Sequence, residues 1–330
     1  MRIATSLVFT VYTVFAFGCL GAQTTVWQPS PGHTQIPIWP KEPPDAQTVR
    51  GSERVYTEPD KPVLGETMMT WVENVSQPTM TVYSPKGDNT GVAVIVFPGG
   101  GYQELAIDLQ GTEICEWLTS KGITGVLLKY RVPNSGPHRD PDVRDPNIPS
   151  QVEPKAPAAL EDAQRTIGLV RIHASDYHID PHKIGVLGFS AGGHLVADIS
   201  THFEKRLYPA VDAADRESCR PDFATALYPG HLCNWPGHPC SNNSFELNPR
   251  IHVTKQTPPT LLFQAENDNV DPIDESLTYY IALKNAGVPV EMHLYAEGGH
   301  AFAIRRTKYP ITEWPQLFEK WLRTIGLISE

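Results

Sequence analysis

Short apolar runs alternate along this chain with longer segments in which apolar side chains recur at helical spacing. Residues 91–97 form a continuous, β-branched apolar run, residues 105–121 have helical spacing through Ile114 and Trp117, and residues 123–130 form another apolar run. Continuous apolar runs are typical of strands buried on both faces, and two such strands joined by a helix pair in parallel. The pattern therefore predicts a parallel strand–helix–strand unit.

The same alternation continues to the carboxyl end of the chain. Further strands are predicted at 183–187, 223–228, 260–265 and 290–295, and further helices at 158–173, from 191 onward, at 273–285 and at 311–325. This order predicts an α/β fold, in which a doubly wound, mostly parallel sheet carries helices on both faces. Alternating positions between 67 and 83 add one or two antiparallel edge strands.

Two insertions break the alternation. Residues 133–157 are rich in proline and aspartate, and residues 230–256 contain Cys233 and Cys240. Insertions of this length after strands commonly contribute to binding sites. We therefore expect both insertions to lie near the functional site.

The amino-terminal segment has the pattern of a targeting signal. Arg2 precedes an apolar run at 3–17, which is shorter than the roughly 20 residues of a membrane span. We predict a signal peptide at 1–22 and an exported protein, periplasmic or extracellular, with a lipid anchor at Cys19 as the alternative. No later stretch has the composition of a membrane span, so the sequence predicts none.

The remaining chain divides by composition. Residues 23–66 are dominated by proline and polar residues and have neither helical nor strand periodicity, which predicts an extended arm or flexible lead. Residues 67–330 contain all the periodic segments and are predicted to form the catalytic domain. The sequence leaves the oligomeric state open.

The charge balance excludes one class of partner. The chain has 27 Lys and Arg residues against 37 Asp and Glu residues, a formal net charge of −10. A surplus of negative charge repels phosphate backbones. Nucleic acid is therefore not expected as a partner.

The cysteines suggest a local cross-link. Removal of the signal leaves four cysteines, and in an exported protein we predict a disulfide between Cys233 and Cys240, with a second pairing of Cys219 left open. Cys115 lies in a predicted helix, and we expect its side chain to be buried there as an apolar residue.

The same region allows an alternative reading. His231, Cys233, His238 and Cys240 form two His-x-Cys pairs whose donor atoms could surround zinc. This spacing is unusual for a zinc loop. The predicted site therefore contains no metal, and its chemistry requires no cofactor.

The candidate chemistry begins at residues 188–193, which read Gly-Phe-Ser-Ala-Gly-Gly. This motif follows a predicted strand and opens a predicted helix, the context in which Gly-x-Ser-x-Gly projects the serine hydroxyl from a tight turn. Ser190 is therefore the candidate nucleophile. The alternative is an ordinary strand-to-helix turn with a capping serine.

A serine nucleophile requires a general base and an acid that orients the base. His300 follows the last predicted strand within a Gly-Gly-His loop, and Asp268 follows the strand at 260–265. The order serine, acid, histidine is that of the α/β-hydrolases. Asp271 is the competing acid, although its position before Pro272 also suggests a helix cap.

The tetrahedral intermediate of acyl transfer needs donors for its oxyanion. The backbone amides of Gly100 and Gly101, which follow the first strand of the predicted sheet, could join the amide of Ala191. Tyr102, at the end of the glycine run, and His194, one turn after Ser190, are candidate substrate-binding residues.

Four segments together carry a family resemblance. Gly-Gly-Gly-Tyr at 99–102, Gly-Phe-Ser-Ala-Gly-Gly-His at 188–194, Glu-Asn-Asp-x-Val-Asp-Pro at 266–272 and Glu-Gly-Gly-His-Ala-Phe at 297–302 resemble bacterial α/β-hydrolase carbohydrate esterases of the acetylxylan and feruloyl esterase-like group. The resemblance implies a triad of Ser190, Asp268 and His300. Lipase-type relatives have histidine before the three glycines, whereas this chain has Pro98.

The sequence thus predicts a secreted serine esterase whose substrate is a small ester or an acylated carbohydrate. The resemblance and the predicted export together favour acetyl or other small acyl esters on a plant polysaccharide such as xylan. The alternatives are a serine peptidase or amidase of the prolyl oligopeptidase kind, for which the chain lacks the length of a gating domain, and a catalytically silent glycan-binding module.

Overall fold

The computed structural model describes residues 26–46, 51–59, 68–132, 156–233, 240 and 245–329. The predicted signal peptide at 1–22 and nearly all of the insertion at 133–157 lie outside the described residues. The strands are β1 (Gln35–Pro37), β2 (Arg54–Pro59), β3 (Met68–Glu73), β4 (Thr79–Tyr83), β5 (Ala93–Phe97), β6 (Glu104–Ala106), β7 (Thr124–Lys129), β8 (Ile184–Phe189), β9 (Ala224–Leu227), β10 (Thr260–Ala265) and β11 (Val290–Tyr295). The α-helices are α1 (Glu113–Ser120), α2 (Ala156–Ile172), α3 (Ala191–Thr201), α4 (Ile273–Asn285) and α5 (Trp314–Thr324).

The main sheet has eight strands in the order β1-β4-β7-β5-β8-β9-β10-β11. The strands from β7 to β11 in this order pair in parallel, whereas β1 and β4 are antiparallel at one edge. Every residue of β5, β7, β8, β9 and β10 is buried, as expected of strands covered on both faces. The predicted α/β class and its mostly parallel sheet are confirmed.

Helices cover both faces of this sheet. On one face α1 contacts α5, where the ring of Trp117 lies 6.1 Å from that of Trp314 and Lys121 pairs with Glu319 at 3.0 Å. On the other face α2 packs against α3. None of the helices in the described ranges is both long enough and apolar enough to cross a bilayer.

The predicted helix at 105–121 is wrong in its first half. Residues 104–106 form β6, a single π-helical turn follows at Asp108–Thr112, and α1 begins only at Glu113. The Asp108 carboxylate accepts hydrogen bonds from the amides of Thr70 and Leu109. These side-chain bonds compete with a regular helical start, so β6 joins β3 instead.

The segment at 67–83 forms two strands that belong to different sheets. β4 lies at the edge of the main sheet, and β3 is the middle strand of a separate antiparallel sheet in the order β2-β3-β6. β1 and β2 fall within the proline-rich arm, where no strand was predicted. Both are short edge strands. Proline is tolerated at the edge of a sheet, and the prolines of the arm obscure the alternating pattern from which a strand is predicted.

The arm is anchored by a buried aromatic side chain. Trp39 is buried, and its indole Nε1 donates a 2.8 Å hydrogen bond to Oδ1 of the buried Asp162 on α2. The guanidinium groups of Arg131 and Arg165 lie 5.9 and 5.6 Å from the centre of its ring. This geometry combines apolar burial with cation–π attraction, so the arm is part of the packed core.

Replacing Trp39 should therefore destabilise the whole fold. Trp39→Ala is expected to lower the free energy of unfolding by about 3–5 kcal/mol, because it opens a large cavity. Trp39→Phe keeps an aromatic ring but removes the donor to Asp162, so about 1–3 kcal/mol is expected. Denaturant unfolding measures both, with the exposed Val26→Ala as control. Equal stability of Trp39→Ala and the control would contradict this anchoring.

Candidate active site

Ser190 stands at the turn between β8 and α3 with an unusual backbone. Its φ is 53° and its ψ is −119°, a conformation that non-glycine residues rarely adopt. The turn is also crowded, since a Cβ atom at Gly192 would lie 2.1 Å from the carbonyl oxygen of Phe97. The motif at 188–193 thus forms a tight elbow that exposes the hydroxyl above the start of α3, where the helix dipole is positive.

Three side chains from distant parts of the chain meet at this elbow. His300 Nε2 lies 3.0 Å from Ser190 Oγ, and His300 Nδ1 lies 2.8 Å from Asp268 Oδ2. Each residue follows the carboxyl end of a parallel strand, namely β8, β10 or β11, which is where ligand sites of open α/β sheets form. Such a relay can move a proton from the hydroxyl to the imidazole while the carboxylate fixes the ring.

The Asp268 carboxylate is held from both of its oxygens. Its Oδ1 accepts hydrogen bonds from the amides of Val270 at 2.9 Å and Asp271 at 3.1 Å, and its Oδ2 accepts one from Gln264 Nε2 at 3.2 Å. Asp268 itself is buried. These donors orient the carboxylate toward the imidazole, so Asp268, and not Asp271, is the acid on the Nδ1 side.

The loop that carries His300 is fixed by a neighbouring amide. Asn267 Oδ1 accepts hydrogen bonds from the amides of Gly298 at 3.0 Å and Gly299 at 2.8 Å. The ring of Tyr228 meets the imidazole edge-on, with 4.8 Å between ring centres. The residue before Asp268 therefore positions the residues before His300, which ties the two loops together.

The glycine run after β5 lies beside Ser190, since a Cβ atom at Gly99 would be 3.0 Å from the Cβ of Ser190. Gly100, Gly101 and Ala191 line the same cavity as Ser190 and His300. The run is tethered at its start, because Gln110 Oε1 accepts a 2.7 Å hydrogen bond from the amide of Gly99. The three residues predicted for an oxyanion hole are therefore brought to the serine.

The cavity above the elbow has a volume of about 390 Å³, which is within the range of small-molecule sites. Its lining residues are Trp71, Gly100, Gly101, Gln103, Gln110, Ser190, Ala191, His231, Val270, Asp271, Pro272, Glu275, His300 and Ala301. Trp71 comes from β3, so the small sheet supplies one wall. Trp71 could not be identified from the sequence, because its role depends on a separate sheet that the pattern of apolar positions does not reveal.

Tyr102 and His194 do not contact the cavity in the predicted way. Both are buried, neither is among the lining residues, and Tyr102 Oη lies 2.7 Å from His194 Nδ1. Burial lowers the pKa of His194 to about 4, so its ring is neutral at physiological pH. The two residues pack behind His231, whose ring centre is 5.8 Å from that of His194. Neither residue therefore lines the cavity at Ser190 in this structure, and a substrate-binding role for them stays a prediction.

Asp271 also differs from its predicted role as a helix cap. Pro272 occupies the N-cap position of α4, and no side chain there caps the helix. Asp271 Oδ2 instead lies 3.3 Å from Ser190 Oγ and 3.8 Å from His300 Nε2. The pKa of Asp271 is raised above the usual range, mainly because the carboxyl group is buried.

The cysteine-containing insertion forms another part of the site. Cys233 and Cys240 are joined by a disulfide, as predicted, so the alternative zinc site has lost both of its thiolates; His238 lies outside the described residues. Cys219 is a buried free thiol, as is Cys115. Just before the disulfide, the amides of Leu232 and Cys233 donate to Glu275 Oε2 at 2.5 Å each.

Residues 151–304 match the model of a family described by the α/β hydrolase fold. The chain is 27% identical over 260 residues to an acetylxylan esterase of Xylanibacter ruminicola, covering 76% of this chain and 49% of that protein. It is 25% identical over 243 residues to an endo-1,4-β-xylanase B of Butyrivibrio fibrisolvens, covering 70% of this chain and 36% of that protein.

A solved structure matches over a larger share of its length. It is an acetyl ester-xyloside bifunctional hydrolase from Caldicellulosiruptor lactoaceticus, 30% identical with a TM-score of 0.65, and the match covers 90% of this chain and 97% of that one. The curated relatives are longer: the chain spans about half of the first and about a third of the second.

The burial of Glu275 makes a pH-dependent contribution to stability. Burial raises the pKa of Glu275 from 4.5 to about 7, so the folded protein holds this proton more tightly than the unfolded chain does. The contribution is complete below pH 4.5 and is lost as the pH rises through 7. When the pH rises from 5 to 8, the free energy of unfolding of the parent should therefore fall by roughly 2–3 kcal/mol more than that of Glu275→Gln.

Denaturant unfolding at the two pH values measures this difference. Glu246→Gln, an exposed position in the same insertion, is the matched control and should follow the parent. A parent and a Glu275→Gln variant with the same pH dependence would show that the buried carboxyl group does not titrate as described.

Proposed function

The chain belongs to the α/β-hydrolase esterase family, and from this premise we propose that it is a secreted serine esterase. It hydrolyses acetyl or other small acyl esters through Ser190, His300 and Asp268. One observation carries the proposal: the imidazole of His300 bridges Ser190 Oγ at 3.0 Å and Asp268 Oδ2 at 2.8 Å. This is the arrangement that makes a serine hydroxyl nucleophilic.

Acylation begins when Ser190 Oγ attacks the ester carbonyl carbon. The hydroxyl proton passes to His300 Nε2, and Asp268 keeps the Nδ1 proton directed toward itself and stabilises the imidazolium. The carbonyl oxygen becomes an oxyanion, which the amides of Gly100, Gly101 and Ala191 bind as hydrogen-bond donors. Each such donor is worth about 3–4 kcal/mol of barrier in well-formed sites.

The imidazolium then gives its proton to the departing alcohol oxygen, and the acyl-enzyme forms. A water molecule attacks the acyl carbon while His300 Nε2 removes its proton. This proton transfer is the reverse of the earlier transfer to the departing alcohol. Collapse of the second tetrahedral intermediate returns the proton to Ser190 Oγ and releases the carboxylic acid. No metal ion or organic cofactor takes part in these steps.

The proposed natural substrate is a short acyl ester, acetate above all, on a plant polysaccharide such as xylan. Support comes from the relatives, whose names include an acetylxylan esterase, a xylanase and an acetyl ester-xyloside hydrolase. The aromatic wall formed by Trp71 suits a sugar ring beside the ester. A signal peptide at residues 1–22 would export the protein from the cytoplasm, so that it can reach polysaccharide substrates outside.

Acetate release tests this function. The mature protein should release acetate from acetylated xylan and from an aryl acetate, and Ser190→Ala should lower kcat/KM on both by at least about 10⁴-fold. Asp268→Asn should lower it by about 10⁴-fold with the fold intact, because the imidazole loses its oriented tautomer. Ser175→Ala, which changes an exposed serine outside the site, should match the parent.

The outcomes separate mechanism from substrate. Release from the aryl acetate alone would retain the serine mechanism and reject acetylated xylan. Full activity of Ser190→Ala would reject the nucleophile. Cleavage of peptide substrates without release of acetate would identify a peptidase, and binding of glycan without any turnover would identify a silent module.

A further inference from the structure

The cavity beside Ser190 has an acidic lining that the three-residue relay does not explain. Within the described part of the chain, the titratable side chains that line it are Asp271, Glu275, His231 and His300, and none of its lining residues is lysine or arginine. The cavity therefore has no permanent positive charge. A site that binds an anionic group normally provides one, from lysine or arginine.

Asp271 is the acidic group closest to the reacting atoms. Its Oδ2 lies 3.3 Å from Ser190 Oγ, and its side chain is 13% exposed. Any acyl group attached to Ser190 Oγ must share this space. The carboxylate is thus placed to act on the acyl group itself and not only on distant parts of a substrate.

The position of Asp271 is fixed by its surroundings. Its amide donates to Asp268 Oδ1 at 3.1 Å, and its carbonyl oxygen accepts from Gln264 Nε2 at 3.0 Å. On the side-chain end, a Cβ atom at Gly230 would lie 2.5 Å from Asp271 Oδ1, so the carboxylate fits closely against that glycine. The hydrogen bonds that orient Asp268 therefore also hold Asp271 beside the nucleophile.

Proton transfer in the proposed reaction favours an ionised Asp271. His300 Nε2 lies 3.8 Å from Asp271 Oδ2, and this nitrogen gains a proton when Ser190 attacks the ester. An imidazolium at that distance stabilises the carboxylate form and so opposes the effect of burial, which raises the pKa of Asp271. Once the imidazolium has passed its proton to the departing alcohol, an ionised Asp271 stands beside the acyl group in a cavity that no lysine or arginine of the described residues lines.

We propose that Asp271 determines which acyl groups the site accepts: uncharged acyl groups such as acetyl or butanoyl enter, and acyl groups with their own carboxylate, such as succinyl, are rejected. The inference rests on the proposed function of Ser190 as the nucleophile. Only two methylene groups separate the carbonyl carbon of a succinyl group from its terminal carboxylate, so that carboxylate would share the cavity with Asp271. Like charges in a partly buried cavity repel strongly, and no lysine or arginine in the described part of the chain lines this cavity to offset them.

The experiment compares two esters of the same alcohol and chain length. The para-nitrophenyl ester of butanoic acid and the para-nitrophenyl monoester of succinic acid are hydrolysed at pH 8 and low salt, and kcat/KM is measured for each. The parent should prefer the butanoyl ester. In Asp271→Asn this preference should fall by at least about tenfold, because the repulsion of the succinyl carboxylate is removed.

Two further variants keep the result specific. Asp274→Asn makes the same substitution three residues later, at a position that does not line the cavity, and should leave the preference unchanged. Asp271→Glu keeps the negative charge and should retain the preference. Both esters are measured on one preparation, so the ratio does not depend on how much of a variant is folded.

The outcomes distinguish the two proposals. If Asp271→Asn changes kcat/KM for both esters by the same factor, Asp271 does not select acyl groups and the inference is overturned, while the esterase function stands. If the parent turns over neither ester, the proposed function fails and the inference falls with it. A parent that hydrolyses both esters equally also contradicts the inference.

Discussion

The backbone of Ser190 is held in a conformation that residues other than glycine rarely adopt, and the rest of the site is arranged around it. The positive φ of 53° projects the hydroxyl away from β8, and the close approach of Gly192 to the carbonyl oxygen of Phe97 admits no side chain at that position. A strained residue persists only where its surroundings fix it. Here the buried parallel sheet supplies that support, and the ends of β11, β10 and β5 in the same sheet bring in His300, Asp268 and the glycine run.

Two carboxylates approach the same imidazole, and their different surroundings separate their roles. Asp268 faces Nδ1 and is oriented by three hydrogen-bond donors, whereas Asp271 faces Nε2, the atom that exchanges protons with Ser190 in the proposed reaction. A carboxylate on the Nδ1 side fixes the ring, and one on the Nε2 side meets the acyl group. One short loop after β10 thus contributes both to the proposed reaction and to its proposed selectivity.

Much of this arrangement follows from local sequence. The buried strands are continuous apolar runs, and the residues at 188–193 specify the elbow by their size, so the α/β class and Ser190 could be predicted. The roles of Trp71, Asp271 and Glu275 could not, because they depend on contacts between segments far apart in the chain. The burial of Tyr102 and His194 outside the cavity lining could not be predicted for the same reason: spacing from Ser190 gives no information on which side of the elbow a ring packs.

Covalent labelling of the nucleophile tests the central claim most directly. The protein is treated with a diethyl phosphoryl organophosphate, which traps an activated serine, and the digest is examined by mass spectrometry. The account predicts one phosphorylated peptide, the one that contains Ser190, with slow labelling in Asp268→Asn and none in Ser190→Ala. A label on another residue, or rapid labelling that persists without Ser190, would contradict it.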